Sequence, residues 1–259
     1  MFSWLFSNQK ESLKHEHAKP KEEFVDVTPL AQYFEALTGV TFEKQTSILN
    51  SKARSFALSH NIYSYEELLK RIKEDDFLKQ KLINRLTTNE TFFYREFAQI
   101  AQLVKEVQKE SHKVRILCAP CATGEEPYSI AIALLEAGVK ENDFFIVGID
   151  INSDAIKKAK EGVYKERNMR NLSESIQAKY FEQKDKSFCI TESVKKLVDF
   201  QIVNIFDDKF QRLEKFDYLF SRNMLIYFDQ ETKRKARKIL ESMLKDRTKE
   251  IYFGHADLF

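Results

Sequence analysis

Three cysteines, Cys118, Cys121 and Cys189, are all that 259 residues contain. The number is odd and far too small to staple a chain of this size, so a reducing, cytoplasmic setting is expected. Cys118 and Cys121 have the spacing of half a zinc or redox site, but there is no second pair and Cys118 falls in an apolar run. Both are read as structural, and the five histidines form no ligand spacing, so no metal is expected. Long apolar runs are missing too, none approaching the roughly 20 residues that span a bilayer, which argues against membrane insertion. The start, Met1-Phe-Ser-Trp-Leu-Phe6, has no basic leader or small-residue cleavage site, so export is not expected. A surplus of either charge is also lacking. Lys and Arg number 42 against 40 Asp and Glu, a balance of +2 that gives too weak a field to gather nucleic acid. There is no internal repeat and no low-complexity tract.

What is present is a 43% hydrophobic chain, enough to bury one large domain or two modest ones. The charge-rich stretch from Lys10 to Glu23 leaves little to bury, so residues 1–27 are expected to be a disordered tail. From Thr28 the pattern is helical. Thr28 can cap, Pro29 suits a first turn, Leu30, Tyr33, Phe34 and Leu37 share a face, and Gly39 ends it. Further helical patterns follow Thr41, begin at the capping box Ser64-x-x-Glu67, and run from about Asp76. Residues 28–88 therefore read as a small all-helical domain.

After about residue 113, β-rich runs alternate with helical stretches. The runs are Val114–Cys118, Phe144–Ile149, Val198–Val203, Phe216–Phe220 and Ile251–Phe253, and helices are predicted near 127–138, 153–161 and 230–245, the last capped by Asp229. This alternation implies an α/β fold with a doubly wound, mostly parallel sheet across residues 89–259. Residues 179–200 read instead as a short antiparallel β insertion with strands near Tyr180-Phe181, Ser187–Thr191 and Leu197–Phe200. The alternative there is a long surface loop.

The first strand runs into Ala119-Pro-Cys-Ala-Thr-Gly124-Glu-Glu-Pro127, where a helix begins. Strand, small-residue turn and helix form a nucleotide-binding arrangement. Glu125 and Glu126 stand where a pyrophosphate would sit in a dinucleotide fold, so phosphate is repelled and a ligand carrying ammonium or sulfonium is attracted. S-adenosyl-L-methionine carries both cations and no phosphate. The second strand ends at Gly148-Ile-Asp150, with a carboxylate that can accept hydrogen bonds from ribose hydroxyls. Its alternative role is to cap the helix starting near Ser153.

Five ordered stretches resemble the chemotaxis receptor (CheR-type) methyltransferases: Thr87-Thr-Asn-Glu-Thr-Phe-Phe-Tyr-Arg95, Ala122-Thr-Gly-Glu-Glu-Pro-Tyr-Ser-Ile-Ala131, Gly148-Ile-Asp-Ile151, Phe216-Asp-Tyr-Leu-Phe-Ser-Arg-Asn223 with Ile226-Tyr-Phe-Asp229, and Gly254-His255. The resemblance runs from about residue 30 onward. It implies a helical N-terminal domain, a methyltransferase domain with an antiparallel insertion, and methyl transfer from S-adenosyl-L-methionine to glutamate carboxylates on chemoreceptor cytoplasmic helices. It further implies that Asn89, Thr91 and Arg95 line the cofactor pocket from the interdomain side and that Glu126 holds the methionine end. Asp150 would bind ribose, Asn204 and Ile205 would flank adenine, and Arg222 and Asn223 would close the site. Two departures stand out. Pro120 and Cys121 replace a stretch that is alanine- or serine-rich in the family, and the chain ends five residues after Gly254, where the family continues into one more strand.

An ionised glutamate needs no general base to attack a sulfonium methyl, only alignment and desolvation. Arg95 and Tyr227 are the candidate catalytic residues, to orient the acceptor carboxylate and to hydrogen-bond it. Residue pattern alone leaves plainer roles open: Arg95 on a solvated helix, Asn89 and Thr91 as caps of that helix, Arg222 and Asn223 as a strand exit, and Tyr227 as packing. A methyltransferase with another acceptor and a non-catalytic cofactor sensor are the alternative functions. Lys44, Lys52 and Arg54 offer cations for acceptor docking, although residues 28–86 carry only nine Lys or Arg against seven Asp or Glu. Some members of the family tether a receptor's C-terminal peptide on the antiparallel insertion through a longer, glycine-rich turn. Here the turn Glu182-Gln-Lys-Asp-Lys186 is short and lacks glycine, so no tethering is expected, although Phe188 and Ile190 alternate as an exposed edge strand would.

Overall fold

A computed structural model describes residues 22–257. Four helices form the N-terminal unit: α1 (Thr28–Thr38), α2 (Thr46–Ser59), α3 (Tyr65–Glu74) and α4 (Asp76–Leu86). Their apolar stripes enclose a separate core around Leu30, Leu49, Ile62, Leu68 and Leu82. Ser64 caps α3 by accepting from Glu67 N at 3.1 Å, as the capping box predicts. Residues 22–27, expected to belong to a disordered tail, are instead packed on this unit. Phe24 meets Tyr65 edge-on at 4.9 Å, Val27 is buried, and Glu22 pairs with Arg54 at 2.7 Å. Two apolar side chains are enough to fix a short charged segment. The rest of the predicted tail, residues 1–21, lies outside the described residues.

Beyond α5 (Phe97–Val107) the chain builds a sheet from β1 (Val114–Cys118) and β2 (Phe144–Asp150), joined by α6 (Glu125–Glu136), and continues through α7 (Ser153–Glu161). A small second sheet contains β3 (Val163–Lys165), β4 (Phe181–Lys184) and β5 (Ser187–Ile190), after which β6 (Val198–Ile202), β7 (Tyr218–Ser221) and β8 (Tyr252–Phe253) return to the first. The large sheet has the order β6-β2-β1-β7-β8 with every pairing parallel. Its central strands β1, β2 and β7 are mostly apolar because both faces are covered, while the edge strand β6 carries Asp199 and Gln201. Ile116, Ile146 and Phe220 point into one core and Leu117, Val147 and Leu219 into the other, the alternation a strand imposes.

The insertion differs from its predicted limits. Its third strand is β3, before the expected start, and Leu197–Phe200 runs instead into β6 at the edge of the large sheet. In the small sheet β5 lies between β3 and β4. Phe188 and Ile190 are therefore on a central strand and not on an exposed edge. The turn between β4 and β5 is only Asp185-Lys186, and Asp185 reaches a left-handed φ of 54° without glycine. An aspartate tolerates that region better than most side chains.

Candidate active site

Loops at the carboxyl ends of β1, β2, β6 and β7, with the first two helices and the linker 87–95, enclose a cavity of about 540 Å³. It opens beside the point between β1 and β7 where the winding of the sheet reverses, the place where an open α/β sheet binds its ligand. All the site residues named above border it: Asn89, Thr91, Arg95, Glu126, Asp150, Asn204, Ile205, Arg222, Asn223 and Tyr227. Pro120 and Cys121, the departures from the resembling family, form part of its wall with Ala119 and Ala122.

Glu126, in the first turn of α6, forms an ion pair through Oε2 with Arg222 Nε, and both side chains are almost fully buried. Arg222 Nη1 also donates to the Arg95 carbonyl at 2.7 Å. The other carboxylate oxygen, Glu126 Oε1, is buried with no hydrogen-bond partner among the described residues. Such an atom is unfavourable until a donor reaches it. Glu125 points elsewhere. It accepts from Thr123 Oγ1 at 2.7 Å and from Asn168 Nδ2 at 2.8 Å, and burial raises its carboxyl. The sequence predicts two carboxylates facing the ligand and the structure provides one, because neighbours on a helix point roughly 100° apart.

Gly124 likewise does not border the cavity. It has φ +92°, and a Cβ there would lie 2.9 Å from Ala159 Cβ and 3.0 Å from Phe200 Cζ. Its bare Cα lets the turn pack on the sheet behind it.

Asp150 Oδ2 accepts from Ala122 N at 2.9 Å and Oδ1 from Asn152 N at 2.8 Å. Burial outweighs these bonds and pushes the carboxyl up to about 6. The capping alternative falls to its neighbour, since Asn152 caps α7 by accepting from Ala155 N at 2.9 Å. Asn204 is a strut: Nδ2 donates to Leu37 O at 2.8 Å and Oδ1 accepts from Phe206 N at 3.0 Å, leaving Ile205 as the apolar wall beside it.

Arg95 precedes α5, whose N-cap is Glu96 with no side-chain cap bond, so Asn89 and Thr91 do not cap that helix. Tyr94 and Glu96 on either side of Arg95 have φ of 55° and 50°, and Ala122 and Asn223 at the cavity have 46° and 59°. Left-handed non-glycine residues are uncommon and gather at ligand sites, held there by their surroundings. For Asn223 the hold is Asp257, a residue the sequence did not single out. Its buried carboxylate accepts from the amides of Asn223, Ile226 (3.2 Å) and Gly254 (3.2 Å). The only signal was its place three residues after Gly254. Asn152 and Lys52 were also missed as wall or support. Asn152 Nδ2 donates to Asn84 O at 3.2 Å and Thr87 Oγ1 at 2.8 Å, and Lys52 borders the cavity with Nζ on Leu86 O at 3.4 Å.

Residues 89–259 match the family described as CheR methyltransferase, SAM binding domain. The chain belongs to the CheR methyltransferase family. Among proteins similar to this CheR chain is the chemotaxis protein methyltransferase of Campylobacter jejuni, 38% identical over 223 residues, covering 86% of this chain and 84% of that one. That of Borreliella burgdorferi is 32% identical over 230 residues, covering 83% and 81%. Chemotaxis protein methyltransferase 2 of Vibrio cholerae is 33% identical over 224 residues, covering 82% and 78%. This CheR chain is accordingly an S-adenosylmethionine-dependent methyltransferase of chemotaxis. Its cavity fits that cofactor: an unpartnered buried carboxylate oxygen suits an ammonium, Asp150 retains lone pairs for hydroxyls, and the basic side chain beside the turn, Arg222, is already paired with Glu126.

Proposed function

We propose that this protein esterifies glutamate side chains on the cytoplasmic helices of chemoreceptors, in the cytoplasm. The observation that carries the reading is the charge lining of the cavity, with Asp150 and the Glu126–Arg222 pair buried inside and the more exposed cations Arg95 and Lys52 on its wall. S-adenosylmethionine, when bound, supplies a methyl group on a positively charged sulfur. Glu126 Oε1 would hold the ammonium of its methionine end, and Arg222 fixes the Glu126 carboxylate. Asp150 would accept from the ribose hydroxyls, Ile205 and Asn204 would flank adenine, and Asn89, Thr91 and Asn223 would close the walls.

The acceptor carboxylate is already ionised near neutral pH, so no residue has to remove a proton. Arg95 orients it and Tyr227 donates a hydrogen bond to it. With the cofactor bound, the methyl would pass to this carboxylate, leaving a neutral ester and a neutral thioether, and the alignment is what the chain's own residues would supply. Opposite charges are consumed together, so a dry cavity favours the step over water. The names of the relatives, chemotaxis protein methyltransferases, support the receptor as acceptor.

The test is transfer of tritiated methyl to a purified chemoreceptor cytoplasmic fragment. Label released as methanol by mild base is expected, and label that survives base would overturn the glutamate ester. The antiparallel insertion is not read as a tether for receptor peptides, because its β4 edge exposes Glu182, Gln183 and Lys184, charged and polar groups that discourage strand addition. Micromolar binding of a receptor C-terminal peptide, lost on substituting Gln183 by Pro, would reverse that reading.

A further inference from the structure

Beside the cavity mouth, two guanidinium groups lie over one ring. Phe92 borders the cavity, with Arg170 Cζ 3.6 Å and Arg95 Cζ 5.7 Å from its ring centroid. Arg170 is exposed and follows the short helix Glu166–Met169 of the insertion. It is not part of the cavity wall. Its position is nonetheless fixed, because the residues around it are bonded to the segment that carries Phe92. Phe93 N donates to Asn168 O at 3.0 Å, Asn168 Nδ2 to Thr91 O at 3.4 Å, and Asn171 Nδ2 to Tyr94 O at 3.4 Å. Asn168 Nδ2 also reaches the buried Glu125 carboxylate of α6, at 2.8 Å.

A guanidinium stacked by its face on an aromatic ring keeps its in-plane N–H donors free, in a fork that matches a carboxylate. Neither Arg170 nor Arg95 meets a carboxylate side chain among the described residues. Toward solvent the mouth therefore presents Arg95, Arg170 and Lys52 against Glu90 as its exposed anion. From this we infer that Arg170 is a specificity-determining residue, which binds a second carboxylate of the acceptor segment, next to the glutamate that Arg95 receives. The inference rests on the glutamate acceptor proposed above. It gives the insertion a role at the mouth, as the arm that brings Arg170 over Phe92.

The test compares wild type, Arg170→Ala and Arg170→Lys on a chemoreceptor cytoplasmic fragment, and on the same fragment with the acidic residues flanking its methylated glutamates changed to Gln. Arg170→Ala should raise KM for the acidic fragment about tenfold, the size of one lost charge-assisted contact at a half-solvated site. The turnover number and the calorimetric affinity for S-adenosylmethionine should stay within about twofold, since the residue lies outside the cavity wall. Arg170→Lys should recover part of the loss. On the neutralised fragment wild type and Arg170→Ala should have the same KM. An unchanged KM for Arg170→Ala, or equal sensitivity of both proteins to the flanking charges, overturns the inference alone. Absence of base-labile ester with wild type overturns the glutamate reading and this inference with it.

Discussion

Asp150 is a carboxyl whose chemistry depends on its ionisation. Only the charged form accepts hydrogen bonds on every lone pair, and burial sets its pKa at about 6, well above the usual carboxylate range. If it receives the ribose, S-adenosylmethionine binds the ionised form better. Affinity should then be level above neutrality and fall about tenfold between pH 7 and pH 5. Titration calorimetry across that range checks it, and Asp150→Asn should flatten the profile. Asp150→Ala should weaken binding by about 1.5 to 3 kcal/mol, the loss of a charged acceptor, and an unchanged affinity would remove Asp150 from the cofactor site. Glu126→Gln puts an amide where the unpartnered oxygen stands and takes the countercharge from Arg222. It should reduce cofactor affinity by at least as much, read by the same titration, because a buried cation loses its partner. NAD and ATP should fail to bind either protein.

The segment from Arg222 to Phe228 after β7 is shaped from outside, by Gly254 and Asp257. A Cβ on Gly254 would lie 3.0 Å from Asn223 N and 3.1 Å from Asp257 Oδ2. Gly254→Ala should therefore displace the segment, with stability falling by about 1 to 3 kcal/mol and turnover falling further than cofactor affinity. Denaturant unfolding and steady-state kinetics separate the two effects. On α2 the cations offered for docking divide: Lys52 borders the cavity and is partly desolvated, which lowers its pKa, while Arg54 is tied to Glu22 at 2.7 Å. Lys52→Glu should slow methylation and Arg54→Glu should not, and equal effects would argue for a broad electrostatic face. Elements of this kind show what a sequence reveals. The strand Val114–Cys118, the helix Ser153–Glu161 and the Ser64 cap were legible because periodicity and capping act locally. The partner of Leu197–Phe200 was not, since β6 and a fragment of the insertion have the same short apolar pattern and only long-range pairing with β2 decides. That adjacent Glu125 and Glu126 diverge follows from helix geometry alone, whereas the partner that receives Glu125, Asn168, lies far along the chain and was hidden.

At the scale of the whole molecule, the helical unit and the sheet unit meet at the cavity. Asn84, Thr87 and Leu37 of the helical unit and its linker bond to Asn152 and Asn204, and Thr41 N donates to Tyr227 O at 2.9 Å. The wall is shared, so cofactor should stabilise both units together and raise the melting temperature as a single transition, by mass action. At the opposite end of the sheet, burial alone would raise the Asp217 carboxyl, but bonds from Lys245, Arg115 N and His112 together hold it below its ordinary value. A carboxyl lowered by folding stabilises the protein above its unfolded pKa of roughly 4, and that contribution is lost as pH falls through the folded value. Asp217→Asn should therefore lower stability at pH 7 and lessen its decline between pH 5 and 3, as followed by thermal melts. The family resemblance in the sequence pointed to every wall residue named in advance, but not to the contacts that span both units, because a motif specifies groups and not their supports. Asp257 adds a consequence for synthesis. Translation delivers Asn223 and Ile226 first, then all of the helix Gln230–Ser242 and β8, and only afterwards the carboxylate that fastens their amides. A nascent chain that has already made the helix Gln230–Ser242 therefore still lacks the carboxylate that finishes the mouth of the pocket.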